Sequence, residues 1–138
     1  MNNELNNEDK ENLDIIVGNL NDIDFKGRKF DYITLIGVLE YAPSFTKSDN
    51  PYIEFLSKIQ NLLKPDGKLL IAIENKFGMK YFAGAPEDHT SVKYDGIMGY
   101  KNSKGVQTFG KDEIKNILGQ TELKNTKFYY PLPDYKLP

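Results

Sequence analysis

At 138 residues and 39% hydrophobic content, the chain suits one domain with a core of modest size. A net charge of -2 with no dense run of Lys or Arg argues against a nucleic-acid partner, and no apolar run approaches the roughly 18 residues of a membrane span. The polar N-terminus lacks a signal-peptide apolar region; the absence of Cys excludes disulfides, thiolate metal sites and thiol nucleophiles, and fits a cytoplasmic protein.

Residues 1–12, MNNELNNEDKEN, have no periodic apolar face and read as a polar, mobile leader. The β-branched run LDIIV at 13–17 predicts a short strand stopped by Gly18 and Asn19, followed by a polar loop with room for one helical turn. FDYITLIGVLEY, residues 30–41, organises the rest. Its apolar run lacks polar/apolar alternation, which predicts a central strand of a parallel sheet covered on both faces, with Leu35 and Ile36 deeply buried. Ligands of open parallel sheets lie beyond the carboxyl ends of strands, so Gly37 to Tyr41 marks the expected functional edge.

Asn50 and Pro51 open a helix in which Tyr52, Phe55, Leu56, Ile59, Leu62 and Leu63 fall on one face. Lys64-Pro65-Asp66-Gly67 predicts a turn, and residues 69–74 a second strand parallel to the first, with Ile71 and Ile73 buried. Residues 75–108 are rich in Gly and aromatics without clean periodicity, and a connection that long is usually functional or mobile; it reads as a lid or acceptor-binding segment. Gly110 begins a short helix over 111–118, and 126–130 predicts a further strand in the same sheet. Pro131, Pro133 and Pro138 prevent regular structure beyond it.

FDYITLIGVLEYAP, an amphipathic helix and LLKPDGKLLIAIEN together resemble the second half of a class I S-adenosylmethionine-dependent methyltransferase. KFGMKYFAGAPEDH and FYYPLPDYKLP resemble a bacterial subgroup linked to glycosyltransferases that build surface polysaccharide. The resemblance covers residues 13–138 and implies a partial Rossmann-like α/β fold, a parallel sheet with helices, in which the first two strands are missing. The family's glycine-rich turn and its acidic residue for the ribose have no counterpart here, so the chain is expected to be a fragment or truncated gene product that binds S-adenosylmethionine poorly or not at all and is inactive in isolation. Where the family has a Gly-Asp pair for the adenine amino group this chain has Gly18-Asn19, and an Asn carbonyl can accept the same bond; a plain turn residue is the other reading. The resemblance places the cofactor against Asn19, Leu20, Gly37, Val38, Leu39 and Tyr41.

Methyl transfer from a sulfonium needs mainly alignment and exclusion of water, with a base only when the acceptor is a hydroxyl or an ammonium. Glu40 and Glu74 end two adjacent strands and so share one edge of the sheet. His89, the single histidine, follows Glu87 and Asp88. Glu40, Glu74 and His89 are the catalytic candidates; Glu40 as a loop hydrogen-bonding group and His89 as a structural loop residue are the plainer alternatives. Metal binding by Glu87, Asp88 and His89 is disfavoured because successive loop residues rarely point at one ion. Phe77, Tyr81, Phe82, Tyr94 and Tyr100 offer stacking surfaces or simply cover a sheet edge. Two functions follow: methylation of a saccharide or its lipid- or nucleotide-linked precursor, with a glycosyltransferase partner, or a non-enzymatic remnant that associates with another chain. Loss of two strands would leave the 30–39 run as an apolar edge, which either residues 13–17 cover or a second copy pairs with; a homodimer is expected.

Overall fold

The computed structural model describes residues 13–101, 105–123 and 125–131. The expected leader at 1–12 and the prolines at 133 and 138 lie outside the described residues. Strand β1 (Phe30–Ile36) pairs in parallel with β2 (Leu63–Ala72), in continuous register from Tyr32 opposite Lys68 to Ile36 opposite Ala72. Helices α1 (Ala42–Phe45) and α2 (Pro51–Leu62) connect them, giving the expected strand-helix-strand unit. A four-residue helix α3 (Met79–Phe82) and the longer α4 (Lys111–Gly119) follow.

Pro51 occupies the first position of α2, where its missing N–H costs nothing and its fixed φ suits the helix. Asn50 precedes it and accepts the Glu54 N–H on its backbone carbonyl at 3.1 Å, while its side chain makes no capping bond. The apolar face of α2 buries Phe55, Leu56 and Ile59 against Leu35, Leu39 and Ala42, and α4 adds Ile114 and Leu118 to the same core. Tyr52 meets Phe109 edge to face at 4.9 Å. Truncating a buried ring such as Phe55 to Ala costs about 3 to 5 kcal/mol, so this helix face holds the unit together.

The turn expected at 64–67 forms inside a strand. Phe30 pairs with Leu63 and Tyr32 with Lys68, so residues 64–67 bulge out opposite Asp31, to which Lys64 is tied at 2.8 Å. A Cβ on Gly67 would stand 2.9 Å from the Phe30 carbonyl oxygen, which reserves the position for glycine.

Three expectations are corrected. Residues 13–17 form no strand; they are exposed, Val17 at 96%, and leave the outer edge of β1 without a ladder partner among the described residues. Their β-branched composition suits a strand, but a strand exists only where an edge pairs with it. Residues 126–130 are likewise outside the sheet, which has two strands; Phe128 packs against the core while Lys111 Nζ lies over the rings of Phe128 and Tyr130. Finally, the sheet is covered on one face only. Ile33, Leu35, Leu69, Ile71 and Ile73 turn toward the core, with Ile71 and Ile73 half-buried, whereas Tyr32, Leu70 and Ile36, the last 70% exposed, point the other way. The pleat sends alternate residues to opposite faces, and no described element covers the second face.

Candidate functional site

The carboxyl ends of β1 and β2 build the site. Gly37 donates its N–H to the Ala72 carbonyl at 3.0 Å, extending the ladder by one bond, and then turns the chain with φ +62, a conformation that favours glycine. The turn delivers a 3₁₀ segment, Leu39–Tyr41, in which Leu39 is sealed in the core and Glu40 is 1% exposed. Gln107 anchors this segment by donating its N–H to the Glu40 carbonyl at 3.1 Å. β2 ends two residues before Glu74.

His89 comes from the long connection, whose described residues are held by hydrogen bonds. Lys76 N–H bonds the Phe109 carbonyl at 3.3 Å, and Pro86 bridges Lys93. Within it, Glu87 is a hub. One carboxylate oxygen accepts the backbone N–H groups of His89 and Thr90, both at 2.7 Å, and the other meets His89 Nδ1 at 2.9 Å and the Tyr100 hydroxyl at 3.0 Å. Tyr100 in turn shares a 2.5 Å contact with Thr108 Oγ1 and accepts the Thr108 N–H at 3.1 Å. Burial works to raise the Glu87 carboxyl, but the bonds from His89, Thr90 and Tyr100 outweigh it and hold the group below its ordinary value. A carboxylate at Nδ1 makes that nitrogen a hydrogen-bond donor and turns Nε2 toward the strand ends.

Nε2 faces Glu40 Oε1 at 3.6 Å. Glu40, Glu74 and His89 each present one ligand-type atom within 4.8 Å of the others. The structure therefore brings all three catalytic candidates to one point. Burial pushes the Glu40 carboxyl up; bonding to its own backbone opposes this, and the neighbouring Glu74 charge adds to it. Tyr41 closes one side with its ring edge-on to His89 at 5.5 Å. Burial also raises the Tyr100 phenol to about 12, with the Glu87 charge adding, so it stays a hydrogen-bond donor.

Asp88 turns away from this cluster to Lys80 Nζ at 2.7 Å and the Tyr81 hydroxyl at 3.0 Å, so Glu87, Asp88 and His89 do not converge on one point. Of the cofactor candidates, Asn19, Leu20 and Val38 line one groove of about 460 Å³ along the outer edge of β1, together with Phe25, Phe45 and Phe55. Gly37 and Tyr41 lie exposed at the strand end, and Leu39 has no exposed surface. Asn19 Oδ1 already accepts the Asn21 N–H at 3.0 Å and caps the 3₁₀ turn Leu20–Asp22, which supplies the helical turn expected there. Tyr81 and Tyr100 are buried structural groups, while Phe77, Phe82 and Tyr94 remain exposed. The roles of Tyr100 and Thr108 as supports of Glu87 carry no spacing signal in the sequence.

A parallel two-stranded sheet with helices between its strands, and polar groups gathered beyond their carboxyl ends, define a partial Rossmann-like α/β fold of the methyltransferase type. A family model described as a methyltransferase domain matches residues 2–127, and the chain belongs to that family. Searches of curated proteins and of solved structures returned no match.

Proposed function

We propose that the chain transfers a methyl group from S-adenosylmethionine to a hydroxyl of a saccharide or its lipid- or nucleotide-linked precursor, working in the cytoplasm beside a glycosyltransferase. The observation that carries this reading is the meeting of Glu40, Glu74 and His89 at the strand ends, with Nε2 of His89 turned toward Glu40. The substrate class and the glycosyltransferase partner come from the resemblance of the AGAPEDH and PLPDYKLP stretches.

The groove beside β1 suits the flat apolar half of the cofactor, because Leu20, Val38 and Phe45 line it and Asn19 has a second acceptor lone pair to offer. No carboxylate lines it, so the ribose diol and the charged amino-acid end find no ionic partner in that groove. When bound, S-adenosylmethionine supplies a methyl group already activated by the sulfonium. The chain's own part is positional and acid-base. Glu87 fixes the ring of His89; Nε2 takes the proton of the acceptor hydroxyl; Glu40 balances the imidazolium that forms; Tyr41 and the described residues 75–101 of the connection keep water from the exposed side.

The test is transfer of labelled methyl at millimolar S-adenosylmethionine to a pool of nucleotide- and lipid-linked saccharides. Label entering the saccharide fraction, and falling at least a hundredfold in His89→Gln, is expected. Label no higher than in the protein-free control overturns the reading. A second reading, an interaction module, is favoured by the outer edge of β1, unpaired among the described residues, and by the face on which Tyr32, Ile36 and Leu70 are exposed. It has the chain pairing with a second copy along that edge. Sedimentation at micromolar concentration gives a dimer that Tyr32→Lys dissociates; a clean monomer removes this reading.

A further inference from the structure

Two carboxylates and one imidazole meet at the strand ends, and their geometry asks what holds them together. Hydrogen bonding of Nδ1 to Glu87 at 2.9 Å points Nε2 of His89 inward. Opposite it, at 3.6 Å, stands a carboxylate oxygen of Glu40, and a ligand atom of Glu74 lies within 4.8 Å of both. At that separation Nε2 and Glu40 Oε1 are too far apart for a direct hydrogen bond. Glu40 is 1% exposed, and its second oxygen, Oε2, has no hydrogen-bond partner among the described residues. A buried carboxylate left in that state loses its hydration without replacement, which is costly.

We infer that Glu40, Glu74 and His89 form a binding site for a first-row divalent cation of the Mn²⁺ or Zn²⁺ type. The donor set of two carboxylate oxygens and one imidazole nitrogen belongs to that class, since Ca²⁺ and Mg²⁺ select oxygen alone. The 3.6 Å between Nε2 and Glu40 Oε1 is close to the spacing required, since two ligand atoms each about 2.1 Å from a cation at the tetrahedral angle stand about 3.4 Å apart. Around the ligands, Glu87 occupies the place of the carboxylate that orients a metal-bound histidine, and Tyr100 with Thr108 fixes Glu87 in turn. Three protein ligands leave further coordination positions open. Cation binding and proton acceptance both use the Nε2 lone pair, so they exclude each other, and the inference stands without the methyl-transfer reading.

The experiment is titration of the full chain with Mn²⁺, followed by electron paramagnetic resonance of the bound ion, with Zn²⁺ competition as a second probe. One Mn²⁺ per chain, displaced by Zn²⁺ and showing nitrogen modulation from an imidazole ligand, is the expected result. Glu74→Gln and His89→Ala each weaken it at least tenfold, and Glu87→Gln about tenfold through loss of ring orientation. Circular dichroism of each variant separates loss of the ligand from loss of the fold. Absence of binding at millimolar Mn²⁺ or Zn²⁺ overturns the inference, as does a bound ion without nitrogen coupling in the unmodified chain, a result that needs no variant to fold. S-adenosylmethionine is absent from every sample, so failure here leaves the methyl-transfer reading to its own assay.

Discussion

Tyr100→Phe isolates the support of the site, because the substitution removes one oxygen and leaves the ring. That oxygen uses its full capacity: it donates to Glu87 at 3.0 Å and accepts from Thr108, from the hydroxyl at 2.5 Å and from the N–H at 3.1 Å. Tyr100 is 7% exposed and Thr108 fully buried, so water cannot replace the lost partner. An orphaned buried N–H costs about 1 to 3 kcal/mol and a lost bond to a carboxylate about 1.5 to 3 kcal/mol. These share one atom and do not add in full, so about 3 to 4 kcal/mol is the working figure. Against a domain stability of roughly 5 to 15 kcal/mol this is a large fraction, and at about 3 °C per kcal/mol the melting temperature falls by about 10 °C. Thermal unfolding followed by circular dichroism reads it directly. Thr108→Val removes the hydroxyl partner alone and costs about 1 to 2 kcal/mol, and because the two substitutions break a shared bond the double variant loses less than their sum. A Tyr100→Phe melting point within about 2 °C of the parent would refute the reasoning, since it means the network carries no net stability.

Gly67→Ala and Gly119→Ala test the bulge and the last helix with opposite signs. The first meets the Phe30 carbonyl oxygen at 2.9 Å and loses about 1 to 3 kcal/mol; the second meets nothing within 4 Å and gains up to about 1 kcal/mol, both read by urea unfolding. In acid titration, burial tends to raise Glu87 and Glu113, but hydrogen bonds, with Lys76 the main partner of Glu113, hold both carboxyls below the ordinary value. Their stabilisation is complete above the ordinary value of 4.5 and is lost as pH falls through the lower folded values. Glu40, raised by burial, runs the other way, so Glu40→Gln deepens the acid-side loss; an unchanged or shallower loss contradicts the assignment. Calorimetric titration with S-adenosylmethionine yields a millimolar constant: two or three missing bonds of about 1.5 to 3 kcal/mol each reduce a micromolar affinity of about 8 kcal/mol to that level. A low-micromolar value contradicts the assignment of the groove.

Fold elements were legible where a run of side chains decided its own burial. The α2 face and its Asn50-Pro51 start, the Gly110 start of α4 and the parallel pairing of β1 with β2 all follow from local periodicity and turn chemistry. Residues 13–17 and 126–130 misled because β-branched or aromatic composition states a preference, whereas a strand also needs a neighbour in the right place. Ile36 misled for a related reason. A run without alternation is written for a sheet covered on both faces, but the second face of this sheet meets no described element, so the same side chain stands exposed.

The site divides along the same line. That Glu40 and Glu74 share an edge follows from their both lying just beyond the carboxyl ends of parallel strands, a statement about topology that two apolar runs and the helix between them are enough to make. The arrival of His89 at that edge cannot be derived this way, because it rests on a segment without periodicity whose shape is set by polar bonds across eight and thirteen residues, from Tyr100 to Thr108 and to Glu87. Such bonds are worth little singly in water and become decisive only when burial removes the competing solvent. The residues that aim the histidine are therefore ordinary in the sequence, a tyrosine and a threonine, and acquire their function from being fully satisfied in a place where an unsatisfied group is expensive.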